Sequence, residues 1–158
     1  MRVNKHLVIL GAIAFITLPS LAGKIQPKGK VYKSTPPEIR FVPLNIYIDP
    51  AGKSLGAYQF ELKILSGNVK IAGIEGSDHH AFKKAPYYDP EALNKQRIII
   101  AAYTTDTSCP TNKIRIATLH LCITGDKKPE YALDLQVAAD NQGQAVNAAI
   151  TLEEGEIL

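Results

Sequence analysis

Tryptophan is absent from these 158 residues, methionine occurs once, cysteine twice, and aromatic side chains make up only 7%. Two cysteines exclude a disulfide-rich miniprotein and a four-cysteine zinc site. Neither sign of charge dominates, with 18 Lys and Arg against 15 Asp and Glu. The formal net charge of +3 is too small a bias to argue for nucleic acid as a partner. Catalytic signatures are missing as well. No serine sits in a nucleophile-elbow sequence, and neither cysteine lies beside a plausible base. Gly52-Lys53-Ser54 lacks the upstream glycine and the following helix of a phosphate-binding loop. Carboxylates are scattered through turns, and nothing pairs two of them for glycoside hydrolysis. There is no internal repeat, low-complexity block or linker to a second domain. What remains is a chain with 46% hydrophobic and 21% charged residues, enough for one packed domain and too apolar for wholesale disorder.

The first residues read as an export signal. Arg2 and Lys5 precede an apolar run from Leu7 to Leu18, too short to span a bilayer comfortably. Pro19 ends any helix there, and Ser20-Leu21-Ala22 supplies small residues for a signal peptidase. Residues 1–22 are therefore expected to be a signal peptide cut after Ala22. Lys24 stands where a lipoprotein would need cysteine. Removing this segment takes two cations with it, so the mature chain is nearly neutral. It is expected to be periplasmic or extracellular, with no stable membrane insertion.

Residues 23–40, rich in Lys, Gly and Pro, form an extended lead-in with at most a short edge strand near Val31 and Tyr32. Period-two alternation then takes over. Val42, Leu44, Ile46 and Ile48 alternate with Phe41, Pro43, Asn45 and Tyr47. Tyr58, Phe60, Leu62 and Ile64 alternate with Gln59, Glu61 and Lys63. Further strands are expected over Val69 to Ile74, Arg97 to Tyr103, Ile114 to Thr124 (with Ala117, Leu119, Leu121 and Ile123 on one face), Tyr131 to Ala139 and Val146 to Leu152. Turns fall at Asp49 to Gly52, Ser66 to Asn68, Gly125 to Glu130 and Asp140 to Gly143. Short strands at close spacing without a long helix predict an all-β, antiparallel β-sandwich over residues 41–153, with 154–158 a frayed acidic tail. Its core is expected to hold Phe60, Leu62, Leu119, Leu121, Leu133, Leu135, Val146 and Ile150. A straight strand from Ile114 to Cys122 would keep Cys109 too far from Cys122 for a disulfide.

The stretch from Glu75 to Gln96 breaks the alternation. It carries two histidines, two tyrosines and two prolines, with one helical turn expected at Pro90 to Asn94, capped by Asp89. Long connections with aromatics in compact domains are often functional surfaces. Tyr87 and Tyr88 are thus the candidate binding residues, each with an apolar face and a polar tip. One of them is expected to be buried as an apolar pin and the other partly exposed. Asp78-His79-His80 has metal-ligand chemistry. Adjacent histidines on an extended chain point opposite ways, however, and the fourth, His120, faces outward on its strand. A solvated loop is the favoured reading, with no metal site.

The order Leu44-Asn-Ile-Tyr-Ile-Asp49, Leu55-Gly-Ala-Tyr-Gln-Phe-Glu-Leu62, Val69-Lys-Ile-Ala-Gly-Ile-Glu-Gly76, Pro86-Tyr-Tyr-Asp-Pro90, Arg97-Ile-Ile-Ile-Ala-Ala102 and Arg115-Ile-Ala-Thr-Leu119 resembles cohesin-like domains over about residues 42 to 152. The resemblance implies a nine-stranded jelly-roll sandwich, related in fold to carbohydrate-binding modules of bacterial cellulases. It also implies binding without catalysis, since true cohesins hold calcium-loaded dockerin modules through one sheet face. The stretch Glu75 to Gln96 departs from the usual loop of cellulosomal cohesins, so no dockerin-contact residue is carried over. The expected function is a secreted, non-catalytic binding module for a protein module (dockerin-like) or a polysaccharide, with no cofactor. The alternative is a structural or adhesive envelope subunit assembling by sheet-edge or face contacts. An enzyme with a dispersed site ranks third, for want of an activated nucleophile or metal motif.

Overall fold

Alternating apolar residues become strands where one face of each can be buried against another layer. The computed structural model describes residues 36–156. The expected signal peptide, its cut after Ala22, the short strand near Val31 and Tyr32 and the last two residues of the tail lie outside the described residues. Eight strands are present among the described residues, one fewer than the nine implied by resemblance. They are β1 (Ile39–Asp49), β2 (Ala57–Ser66), β3 (Asn68–Glu75), β4 (Tyr87–Tyr88), β5 (Arg97–Tyr103), β6 (Ile114–Thr124), β7 (Glu130–Ala139) and β8 (Ala149–Glu154). Two short 3-10 turns, His80–Phe82 and Pro90–Asn94, complete the regular structure. No helix among the described residues is long and apolar enough to cross a membrane.

The strands form two four-stranded sheets in the orders β3-β6-β1-β8 and β4-β5-β2-β7, and every pairing is antiparallel. Their inner faces share one hydrophobic cluster, the layering of a β-sandwich. Leu44, Ile46 and Ile48 of β1, Phe60 and Leu62 of β2, Ile98 and Ile100 of β5, and Ile116, Leu119, Leu121 and Ile123 of β6 are at most 2% exposed. Each such side chain contributes on the order of 1.5–3 kcal/mol by leaving water. The predicted inward face of β6 is buried throughout. A register shift opposite Ile46 and Tyr47 makes Ile116 an extra residue, so Ile116 and Ala117 are buried side by side.

Four of the expected core residues, Phe60, Leu62, Leu119 and Leu121, are buried, whereas Leu133, Leu135 and Ile150 are half-buried against the same cluster. β7 is an edge strand, which leaves its inward residues covered from one side only. Val146 lies outside the cluster. The chain leaving the hairpin pairs with β7 only around Ala139 and Ala145 and through the Val146 N–H to the Ala138 carbonyl, 2.8 Å. It then crosses to the other sheet, so the last strand begins at Ala149 rather than Val146. The hairpin itself forms as expected. The Asp140 carboxylate accepts from the Gln142 and Gln144 N–H groups at 2.9 and 2.8 Å, and Gly143 takes the left-handed conformation at φ 79°.

The ends of the sandwich also shift. β1 begins at Ile39, inside the expected lead-in, and β8 runs through Glu154. The Gly155 N–H then donates to the Pro43 carbonyl at 2.8 Å, so the tail is held to the sheet at its start. β6 runs over the predicted span. Cys122 sits opposite Phe41 and Lys70 on it, and Cys109 lies in the loop before its other end. Both thiols are free.

Candidate functional site

The connection from β3 to β5 crosses the rim of the sandwich in a built conformation. At its start a Cβ on Gly76 would fall 2.4–2.6 Å from the carbonyl oxygens of Phe82, Lys83 and Lys84, so only glycine lets the chain fold back this closely. The Ser77 N–H donates to the Phe82 carbonyl at 2.8 Å. Phe82 is buried and meets the Tyr58 ring edge-on, with centroids 5.2 Å apart. Tyr58 in turn donates its hydroxyl to the Ile116 carbonyl at 3.1 Å, and burial raises its phenol above the ordinary value. Further along, Asp89 accepts from the Glu91 N–H at 2.9 Å, with Pro90 at the first position of the turn. This is the expected capped turn, in 3-10 form, with Ala92 buried beneath it.

Between the two turns the chain pairs briefly with β5 as β4, Tyr87 opposite Ala101 and Tyr88 opposite Ile100. Strand alternation sends the two tyrosines to opposite faces. Tyr88 follows Ile100 inward and is half-buried on the core. The pins of the connection are therefore Phe82, Ala81 and Ala92 together with Tyr88. Tyr87 points outward and is 66% exposed, more open than expected. Beside it stands Tyr103, 65% exposed, the two rings within 7° of parallel and their centroids 6.1 Å apart. Sequence reasoning missed Tyr103. Its signal was the period-two series Arg97, Ile99, Ala101, Tyr103, which is outward once Ile98 and Ile100 are inward.

Two grooves meet at Tyr87. One, of about 720 Å³, is lined by the apolar Leu65, Ile99 and Ala101 beside Tyr87 and by the charged Lys63, Asp89, Lys95 and Arg97. The other, of about 410 Å³, is polar, with His80, Lys84, Thr104, Thr105 and Asp106 facing Tyr87 and Tyr103. Next to the first groove the Glu61 carboxylate, 5% exposed, is closed over by Lys63 at 2.8 Å and by Arg97. The Lys63 ammonium foremost, with the Arg97 guanidinium, holds that carboxyl below the usual range against the opposing effect of burial.

Asp78, His79 and His80 are each engaged separately. Asp78 pairs with Arg115 at 2.6 Å. His79 uses Nδ1 to accept the Ala81 N–H at 3.2 Å. The His80 Nε2 stands 3.8 Å from Asp106. The two imidazoles do not point opposite ways, as an extended chain would direct them. They stack with centroids 4.3 Å apart, because His80 begins a 3-10 turn capped by His79. His120 is half-buried and faces Glu75 at 3.1 Å. Among the described residues no three His, Cys, Asp or Glu side chains are grouped to hold a metal ion. The chemistry available at the site is aromatic stacking, apolar contact and hydrogen bonding. No family model, curated protein or solved structure matches this chain.

Proposed function

We propose that the protein is an exported, non-catalytic binding module of cohesin-like, jelly-roll type, acting in the periplasm or outside the cell, and that it binds a polysaccharide on the outer face of β4-β5-β2. The observation that carries this reading is the pair of exposed, parallel tyrosines, Tyr87 and Tyr103. Tyrosine combines an apolar face, suited to the C–H faces of sugar rings, with a polar tip suited to their hydroxyls. Pairing order supports the fold part of the proposal. β1 joins β8, β2 joins β7, β3 joins β6 and β4 joins β5, as in a long antiparallel ribbon folded over on itself into two sheets. A second reading, a dockerin-like protein module as ligand, is favoured by the aliphatic lining of Leu65, Ile99 and Ala101, with Leu65 exposed, since aliphatic surfaces flanked by Tyr and Arg are typical of protein interfaces.

The test is a glycan array alongside a pull-down from the native envelope fraction, using the protein and its Tyr87→Ala, Tyr103→Ala double variant. Retention on a glycan that the double variant loses while staying folded supports the polysaccharide reading. A protease-sensitive partner with no retained glycan transfers the proposal to the protein module. Unchanged affinity in the folded double variant would make this face scaffold only.

A further inference from the structure

We infer that the polar groove beside Tyr103 reads one neutral sugar residue by its hydroxyls, with Asp106 and His80 as the specificity-determining pair; this rests on the polysaccharide reading above. The groove, about 410 Å³, falls in the range of small-ligand clefts, roughly 300–1,000 Å³. A carboxylate accepts from two neighbouring hydroxyls, and an imidazole both donates and accepts. At 3.8 Å, with side chains 48% and 58% exposed, Asp106 and His80 are close enough to serve one ring and too far apart to satisfy each other.

Asp106 stands on a held backbone. The Thr104 N–H donates to the Gly56 carbonyl at 2.8 Å. The Asp106 N–H donates to Thr104 Oγ1 at 3.1 Å, and Cys109 Sγ donates to the Asp106 carbonyl at 3.2 Å. Such tethering keeps a polar contact in place before the ligand arrives.

Two features define the ligand further. Tyr87 lines both grooves, so a ligand seated by Asp106 continues across the Tyr87 ring into the apolar groove. The ligand is therefore a chain of sugars rather than a free monosaccharide. Charges on both sides of Tyr87 are also balanced. Lys84 shares the polar groove with Asp106, and across the ring Lys63, Arg97 and Lys95 are matched by Glu61, Glu91 and Asp89, with Lys63 and Arg97 on Glu61 and Lys95 3.5 Å from Glu91. An acidic sugar seated here would set its carboxylate against that of Asp106.

The experiment titrates the protein with a panel of neutral hexasaccharides (glucan, xylan, mannan and N-acetylglucosamine series), reading amide shifts and calorimetric affinity. Asp106→Ala is expected to weaken the tightest-bound member about tenfold or more, and His80→Ala to reorder the panel. The amides of residues 104–106 should shift in the wild type. Both variants are surface changes, and their amide spectra away from the groove report that they fold. Suppose Tyr87→Ala abolishes binding while Asp106→Ala and His80→Ala keep affinity within about twofold and preserve the ranking. The polysaccharide reading then stands and this inference is overturned. If no member of the panel shifts any wild-type amide, both fall together.

Discussion

On the outside of β3-β6-β1-β8, side chains find partners in one another. Arg115 bonds Asp78 and Thr118, and the Thr118 hydroxyl donates to Asn45 at 2.8 Å. His120 faces Glu75, and Lys113 both pairs with Glu153 at 3.0 Å and caps the Tyr47 ring at 4.8 Å. On the outside of β4-β5-β2-β7 Glu61 holds Lys63 and Arg97, Gln59 donates to Gln136 at 2.8 Å, and Lys95 meets Glu91 nearby. Tyr87 and Tyr103 have each other and solvent. The lesson lies in Tyr47 against these two. A tyrosine beneath a lysine is already occupied, whereas two tyrosines that meet only in parallel keep faces and hydroxyls available for a partner. The first face closes its polar side chains on one another and leaves Ile39 and Phe41 exposed at one end of β1; the second leaves a pair of parallel tyrosines open for recognition.

The largest test of this comparison acts on what both faces share. Leu119 is fully buried, and Leu119→Ala should cost about 2–5 kcal/mol of stability through the cavity it leaves. A chemical-denaturation shift below about 1 kcal/mol would place that strand face in solvent and remove the two-layer frame. Next in size is Gly76→Ala, which sets a methyl against three carbonyls. A loss of about 1–3 kcal/mol is expected, with amide shifts concentrated in residues 76–88 and the β1–β8 side of the other sheet unmoved. Uniform shifts over both faces would show that the connection is not an independent carrier of Tyr87.

Alkaline unfolding separates buried from exposed phenols. Tyr58 holds its proton more tightly folded than unfolded, so its contribution is fully present below the unfolded value of 10.0 and is lost as pH rises above it. The slope is about 1.4 kcal/mol per pH unit while only the unfolded phenol is ionised. Tyr131 adds a second such loss that ends once its folded value, raised to about 12 chiefly by burial, is passed. Stability measured from pH 9 upward should fall less steeply in Tyr58→Phe; an unchanged slope would contradict the burial of that phenol.

The smallest stability effects give the sharpest contrast. Thr118→Val leaves Asn45 and Arg115 without their shared partner and should cost about 1 kcal/mol, with ligand affinity unchanged. Tyr87→Ala with Tyr103→Ala should move stability by no more than about 0.5 kcal/mol while removing binding. Thermal melts and glycan retention on these two variants read stability and binding together. Stability loss in the tyrosine variant equal to that of Thr118→Val would make the open face structural too.

How far residues alone reach is clearest at β5 and its neighbours. Its span follows from the apolar run, as do the strands around Phe60 and Leu119 and the Asp89-capped turn, because each is decided within a few residues; three isoleucines in a row suggest burial on both faces, and only the fold shows Ile98 and Ile100 inward with Ile99 between them half-covered. Tyr87 and Tyr88 stood out by composition, but their division into outward and inward members required β4 to pair with β5. Tyr103 becomes a neighbour of Tyr87 only through that same pairing, made between segments that look unrelated in sequence. Val146 misled because its apolar spacing continues across a change of sheet, where a strand pattern carries no mark of which layer it serves. The histidines misled for the opposite reason: a single 3-10 turn, invisible to period-two reading, brought their rings together.

The ribbon-like pairing order has a kinetic consequence. β4 and β5 are close in sequence and can meet early, and β3 with β6, β2 with β7 and β1 with β8 then close successively longer loops. Each doubling of a loop adds only about 0.6 kcal/mol of closure entropy, but non-local pairing of this kind places folding in the millisecond-to-second range. Because β1 needs β8 along its outer edge, the first strand of the sandwich waits for the last. A chain emerging from its N-terminus, whether from a ribosome or through a translocation channel, cannot complete that sheet until the residues at its far end have arrived.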